Sequence, residues 1–250
     1  MPSIVLIVNV KRELIMTTKT QFAIDNGVSV FHDYKVKSVL DGMGKTERVI
    51  KTSTNSKLGK KVTRGILKGM PIYTVTLEER ATCSDTCAHW STCYGNNMPF
   101  ATRYEADDAL TDAMAIELEE LNRKHKNGFL VRLHILGDFY SVDYVELWNK
   151  WLSQFDNLYV YGYSERKSGT PIGDALNILR TRWTNRFMVR VSGDFSLATM
   201  TALSFDDDMA VAQIENKQAF LCPVQEDKTD SCGTCGLCWT AQKNVVFTTH

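Results

Sequence analysis

Three apolar runs at a near-constant interval constrain this chain more than any other feature. Leu130–Leu136, Leu158–Tyr163 and Phe187–Val191 read as buried strands. Their starts lie about 28 residues apart, the length of a βα unit. Val142–Gln154 and Ile172–Arg182, between them, carry helical periodicity. Ahead of them Ala106, Ala109, Leu110, Ala113, Met114, Leu118 and Leu121 recur at three- and four-residue steps. Asn97 with Pro99 reads as the start of that helix and Asn127-Gly128 as its stop. The early acids Asp107, Asp108 and Asp112 suit its dipole. Met209–Gln213 and Ala219–Leu221 are expected to continue the sheet. Strands alternating with helices predict an α/β fold, with a parallel sheet that is open or curled into a partial or complete (β/α) barrel.

The chain of 250 residues fits one large domain, or one domain with a small appendage. Three parts are expected: a basic, β-rich segment over 1–70 packed on the core, a barrel-like core over 71–221, and a cysteine-rich extension over 222–250. Met1–Ile15 looks unlike the rest of the chain, and Met16 makes a plausible start, so that stretch reads as a peripheral strand or an over-extended reading frame. Its apolar run Ile4–Val8 is far shorter than the roughly 20 residues a membrane span needs. No membrane association is expected.

Seven cysteines fall into two groups. Cys83, Cys87 and Cys93 form one, and Cys222, Cys232, Cys235 and Cys238 the other, with none between. Thiols at ligand spacing, without a secretory pattern, point to a reducing cytoplasm and a metal. The second group has three cysteines at two-residue gaps and a remote fourth beside Pro223, the ligand run of a [4Fe-4S] cubane. Zinc is the rival, because four cysteines also build a closed tetrahedral site. The first group can hold a cubane by three irons and leave one iron open. With His89 it can instead form a Cys3His zinc site, and unliganded buried thiols are the bland alternative. One cluster or two, or one shared by both groups, all fit the spacing.

Two segments echo each other. Val131-Arg132 leads to Gly137-Asp138-Phe139, and Val189-Arg190 leads to Gly193-Asp194-Phe195. Each Gly-Asp falls where a strand ends, so Gly137, Asp138, Gly193 and Asp194 are candidates to line a common ligand mouth. Ordinary turn and cap chemistry explains the same residues. Tyr159, Tyr161 and Tyr163 share one strand face and read first as core, with the lining of a ligand mouth as the alternative. His125 and His134 read as structural.

Lys and Arg balance Asp and Glu at 29 each, which argues against binding polyanions by bulk charge. Locally, residues 35–68 hold ten basic residues against Asp41 and Glu47. A solvated edge accounts for such a run; a patch for phosphate or nucleic acid is the functional alternative. No Walker loop, GxGxxG or GxSxG appears.

The order of elements resembles radical-SAM-type proteins: a three-cysteine loop after an early strand, a helix, a strand ending in a Gly-acid turn, then further βα units. That resemblance implies a [4Fe-4S] cluster on Cys83, Cys87 and Cys93, S-adenosylmethionine on the open iron, and Gly137-Asp138 in place of the turn that holds the methionine end. The gaps here are three and five residues, where that superfamily has three and two. The chain also resembles a phage-encoded cysteine-rich family called gene product eighty-eight. Thr54-Asn55-Ser56-Lys57-Leu58-Gly59, Cys93-Tyr94, Gly137-Asp138-Phe139-Tyr140-Ser141 with Tyr144 and Trp148, and the Cys232/Cys235/Cys238-Trp239 run carry that likeness. It implies a viral protein in a bacterial cytoplasm. The expected partners are a small-molecule ligand or an electron donor, with nucleic acid as the alternative through residues 35–68.

Overall fold

The computed structural model describes residues 36–40, 47–87, 89–90, 93–98, 101–194, 196–197, 199–204 and 208–248. The expectations for Met1–Ile15, Met16, Pro99 and Phe195, and those for residues 35 and 41–46 of the basic run, lie outside the described residues. The rest is a mixed α/β structure built on a mostly parallel sheet. Ten strands are described, β1 Val36–Lys37, β2 Lys51–Thr52, β3 Ile72–Thr74, β4 Arg103–Tyr104, β5 Phe129–Leu133, β6 Leu158–Ser164, β7 Phe187–Ser192, β8 Thr201–Ser204, β9 Ala219–Leu221 and β10 Asn244–Phe247. Eight form one sheet in the order β2-β3-β5-β6-β7-β8-β10-β9, while β1 and β4 pair separately. Within the large sheet only the β2–β3 pair is antiparallel.

The helices are α1 Glu79–Thr82, α2 Asp108–Lys124, α3 Val142–Gln154, α4 Pro171–Arg182, α5 Asp208–Glu215, α6 Cys232–Cys235 and α7 Leu237–Thr240. The three long ones start where local chemistry permits. Asp107, Ser141 and Thr170 each accept a peptide N–H of the first turn, and Pro171 follows Thr170. Their apolar stripes pack on one face of the sheet. Leu110, Met114, Leu118, Val145, Trp148, Leu152 and Leu176 meet Phe129, Val131, Leu133, Leu158, Val160, Phe187 and Val189 in one core. The opposite face carries Ile72, Leu130, Tyr161 and Met188, covered by Leu58, Val62, Leu67 and Trp239. Successive strand residues point to opposite faces, so one sheet serves two different cores.

Two expectations need correction. The helix expected from Asn97 and Pro99 begins instead at Asp108, because Asp107 supplies the cap and the buried strand β4 intervenes. Asn97 itself lies in a short 3-10 turn, Tyr94–Asn97. Met209–Gln213, expected as strand, lies in helix α5, where Ala210 and Ile214 pack one turn apart against Leu203, Ala219 and Val246. A short apolar run is compatible with either period, and here the one-turn spacing prevails. Within the C-terminal segment, β10 is inserted between β8 and β9. From the basic segment, β2 forms a sheet edge and Val39, Val49 and Ile50 enter the core.

His134 sits under this framework with structural partners. Its Nε2 lies 3.1 Å from the Tyr144 hydroxyl, and its ring meets Phe139 edge-on. Burial, helped by the charge of Arg132, pushes its pKa down to about 3. The fold therefore favours the neutral ring. The resulting stability is complete above the unfolded pKa of about 6.5 and is lost as pH falls below it. Urea unfolding of the wild type should lose about 1.4 kcal/mol per pH unit between roughly pH 6 and 4 relative to His134→Phe. Parallel pH profiles for the two proteins would refute this assignment.

Candidate metal centres

All seven cysteines are free thiols. Cys83 caps the end of α1, and Cys87 and Cys93 follow in the next loop. That loop is built on two arginines. Arg103, from β4, makes a two-pronged contact with Glu79, Nε to Oε2 at 2.7 Å and Nη2 to Oε1 at 2.9 Å. It also donates to the carbonyls of Gly95, Met98 and Ala101. Both partners of the pair are buried. Arg80 donates to the Trp90 carbonyl and to Asn96, and stacks over the Trp90 ring at 4.7 Å.

Burial raises the pKa of all three thiols in this loop; the charges of Cys87 and Cys93 add to it at Cys83, that of Cys93 at Cys87 and that of Glu79 at Cys93. Asp138 adds to this at Cys83 and Cys87, and Glu165 at Cys87. Two peptide donors oppose it: the His89 N–H at Cys87 and the Gly95 N–H at Cys93. His89 is exposed.

Cys232 and Cys238 of the second group pack on the face that carries Ile72, Leu130, Tyr161 and Met188. Ser231 caps α6, and Gly236 separates α6 from α7 with φ of 72°. A side chain at that left-handed position would be strained, so glycine permits the reversal between Cys235 and Cys238. Cys222 follows β9, its N–H held by the Val246 carbonyl. Burial pushes Cys232 up to about 12, with the charges of Cys238, Cys222 and Cys235 adding to it. Cys235 and Cys238 are raised in the same way. The Leu237 N–H stabilises the Cys235 sulfur, and the Tyr163 hydroxyl donates to Cys238 Sγ at 3.0 Å. Wherever another thiol raises one of these cysteines, it belongs to the same group.

The sequence echo acquires a spatial meaning here. β5 and β7 flank β6, with Arg132 beside Tyr161 and Arg190 beside Tyr163. Both arginines therefore face the second thiol group. Arg132 lies over the rings of Tyr161 and Tyr163, and its charge favours the Cys232 thiolate. Arg190 is fully buried and donates to the carbonyls of Cys238, Ala241 and Lys243. Its charge favours the Cys238 thiolate.

The two carboxylates of the echo clamp the loop after β6 from either side. Asp138 accepts the N–H of Glu165 at 2.8 Å and that of Phe139 at 2.7 Å. Asp194 accepts the N–H of Ser168 at 2.9 Å and both the N–H and hydroxyl of Ser196. Burial raises Asp138 against these donors. At Asp194 burial also pushes upward, but the bonds from Ser196 and Ser168 outweigh it and hold the carboxyl at about 2. Gly137 and Gly193 both take positive φ at the turns. The four residues stand near strand ends, and their visible work is turn chemistry. Tyr163, Arg132 and Arg190 were legible only as a stripe and an echo. Nothing in the sequence alone directed them at sulfur.

The donor set suits a thiophilic cation. Close thiols that raise one another's pKa lose that repulsion when a cation binds, and the donors aimed at sulfur favour the thiolate. Among the described residues, no three His, Cys, Asp or Glu side chains are grouped so as to hold a metal ion as they stand. No helix among them is long and apolar enough to cross a membrane. No family model, curated protein or solved structure matches the chain.

Proposed function

We propose that this chain is an iron–sulfur protein with [4Fe-4S] sites at its two thiol groups. The observation that carries the reading is the convergence on the second group: four cysteines, the Leu237 N–H, the Tyr163 hydroxyl and the charges of Arg132 and Arg190. A cubane held by four thiolates is anionic, and the charges of Arg132 and Arg190 would compensate it. When bound, the cluster supplies one-electron chemistry and, at the three-thiol group, an iron with a free position.

The residues of this chain do the rest. Cys83, Cys87 and Cys93 would hold the first cluster, and Arg80 and Arg103 fix the loop that presents them. The charges of Asp138 and Glu165 act on these thiols, Asp138 at Cys83 and Cys87 and Glu165 at Cys87. The first site then serves redox or small-ligand chemistry as a radical-SAM-like or redox enzyme, with S-adenosylmethionine one candidate ligand. Gly137, Asp138, Gly193 and Asp194 would shape its mouth, in a sheet curved as a partial or complete (β/α) barrel. A phage-encoded protein acting in a bacterial cytoplasm fits this reading.

The test is anaerobic reconstitution with iron and sulfide, followed by EPR of the reduced protein. Serine at Cys83, Cys87 or Cys93 should delete one cubane signal and keep the other. Signals untouched by all three replacements would remove the first site. Tyr163→Phe removes a donor to Cys238, and fewer hydrogen bonds to sulfur lower a cluster's potential. Its second-site potential should shift to more negative values in a redox titration; no shift would separate Tyr163 from that centre.

A second reading, nucleic-acid binding with a structural zinc or iron–sulfur site, is favoured by the exposed cations of residues 57–68. It requires binding that weakens steeply with salt.

A further inference from the structure

The loop of residues 57–68 lies directly on the second thiol group. The N–H of Cys232 donates to the Lys57 carbonyl at 2.8 Å, and that of Gly233 to the Leu58 carbonyl at 3.0 Å. Thr63 returns a bond to the Gly233 carbonyl at 2.9 Å. Gly233 packs so closely on the Lys61 carbonyl that a Cβ there would collide with it. The loop's side chains divide by polarity. Leu58, Val62 and Leu67 turn inward to the cluster that includes Cys232 and Cys238. Lys57, Lys60, Lys61, Arg64 and Lys68 all stay exposed. No carboxylate occurs between Asn55 and Pro71. Among the described residues, none of these five cations is in an ion pair. Ile66 is 84% exposed among them.

We propose that this loop is the docking surface for a small acidic redox protein, which exchanges one electron with the centre at Cys222, Cys232, Cys235 and Cys238. The inference rests on the iron–sulfur reading and names its partner. The partner is oxidised by one electron and the centre reduced by one, with no atom transferred. Charge complementarity steers such an encounter, and the apolar Ile66 gives a contact that salt does not screen. Single-stranded nucleic acid is the poorer match, because its binding platforms interleave cations with stacking aromatics. The loop has none from Asn55 to Met70.

The experiment uses the anaerobic holoprotein with reduced flavodoxin, a small acidic flavoprotein, as the probe. Binding is read by calorimetry, and reduction of the centre by stopped-flow absorbance. K60E/K61E/K68E should weaken binding and slow reduction more than tenfold at low ionic strength, with K60Q/K61Q/K68Q intermediate. Both effects should fade at high salt, and reduction by dithionite should match the wild type throughout. Equal flavodoxin affinity and rates in all three proteins overturn the docking surface alone. A holoprotein that dithionite cannot bleach overturns the iron–sulfur reading, and this proposal with it. A charge-reversed variant that loses DNA binding in a mobility shift but keeps its flavodoxin kinetics assigns the loop to nucleic acid, and also overturns the proposal.

Discussion

Arg103→Met should destabilise the protein by about 3–5 kcal/mol, because it strands the buried Glu79 carboxylate without its partner. The same change leaves the carbonyls of Gly95, Met98 and Ala101 without their donor. Arg103→Lys should recover only part of the loss, since an ammonium cannot reproduce the two-pronged contact. Replacing both members, Glu79→Met with Arg103→Met, should cost less than the sum of the single changes. Urea unfolding of the four variants checks this. Additive losses would show that the pair is not coupled. The first thiol loop should follow the same order, because Cys93 is presented by the stretch Arg103 supports. Iron retained by that loop should fall in Arg103→Met before the fold as a whole is lost.

Arg190→Met is the second large effect. Arg190 is fully buried, and its guanidinium bonds three carbonyls of residues 238–243. Each hydrogen bond to a charged group contributes about 1.5–3 kcal/mol, so a loss of at least about 3 kcal/mol is expected. Those carbonyls belong to the connection that carries Cys238 into β10, so the second thiol group should lose its order as well. The expected signature is a lowered unfolding midpoint together with reduced metal retention at the second group, the first group being largely spared. A variant as stable as the wild type, with both sites intact, would mean that the connection is held from elsewhere.

The parts legible in the sequence were those whose neighbours along the chain decide their structure. Helix α3 matches the expected Val142–Gln154, because Ser141 caps it and its apolar stripe repeats over more than three turns. β5, β6 and β7 stood out because strands covered on both faces read as continuous apolar runs. The elements missed are short and depend on distant partners. β4 has two residues and pairs with β1, while β8 and β10 have four each and find one another across the chain. Nothing local marks Asn244–Phe247 as the strand between β8 and β9.

The cysteine groups were legible as groups in the sequence. Their surroundings were not. The Val-Arg and Gly-Asp echo was visible, but only the order β5-β6-β7 shows that its arginines face thiols and its carboxylates hold the loop between them. The basic run had a comparable fate. Composition reveals charge, whereas the hydrogen bonds from Cys232 and Gly233 to Lys57 and Leu58 reveal what lies beneath it.

Metal and sulfide content of protein purified without oxygen is the decisive measurement for the iron–sulfur reading. Each filled thiol group should yield about four iron atoms and as many acid-labile sulfides. Colourless protein holding stoichiometric zinc and no labile sulfide would refute it.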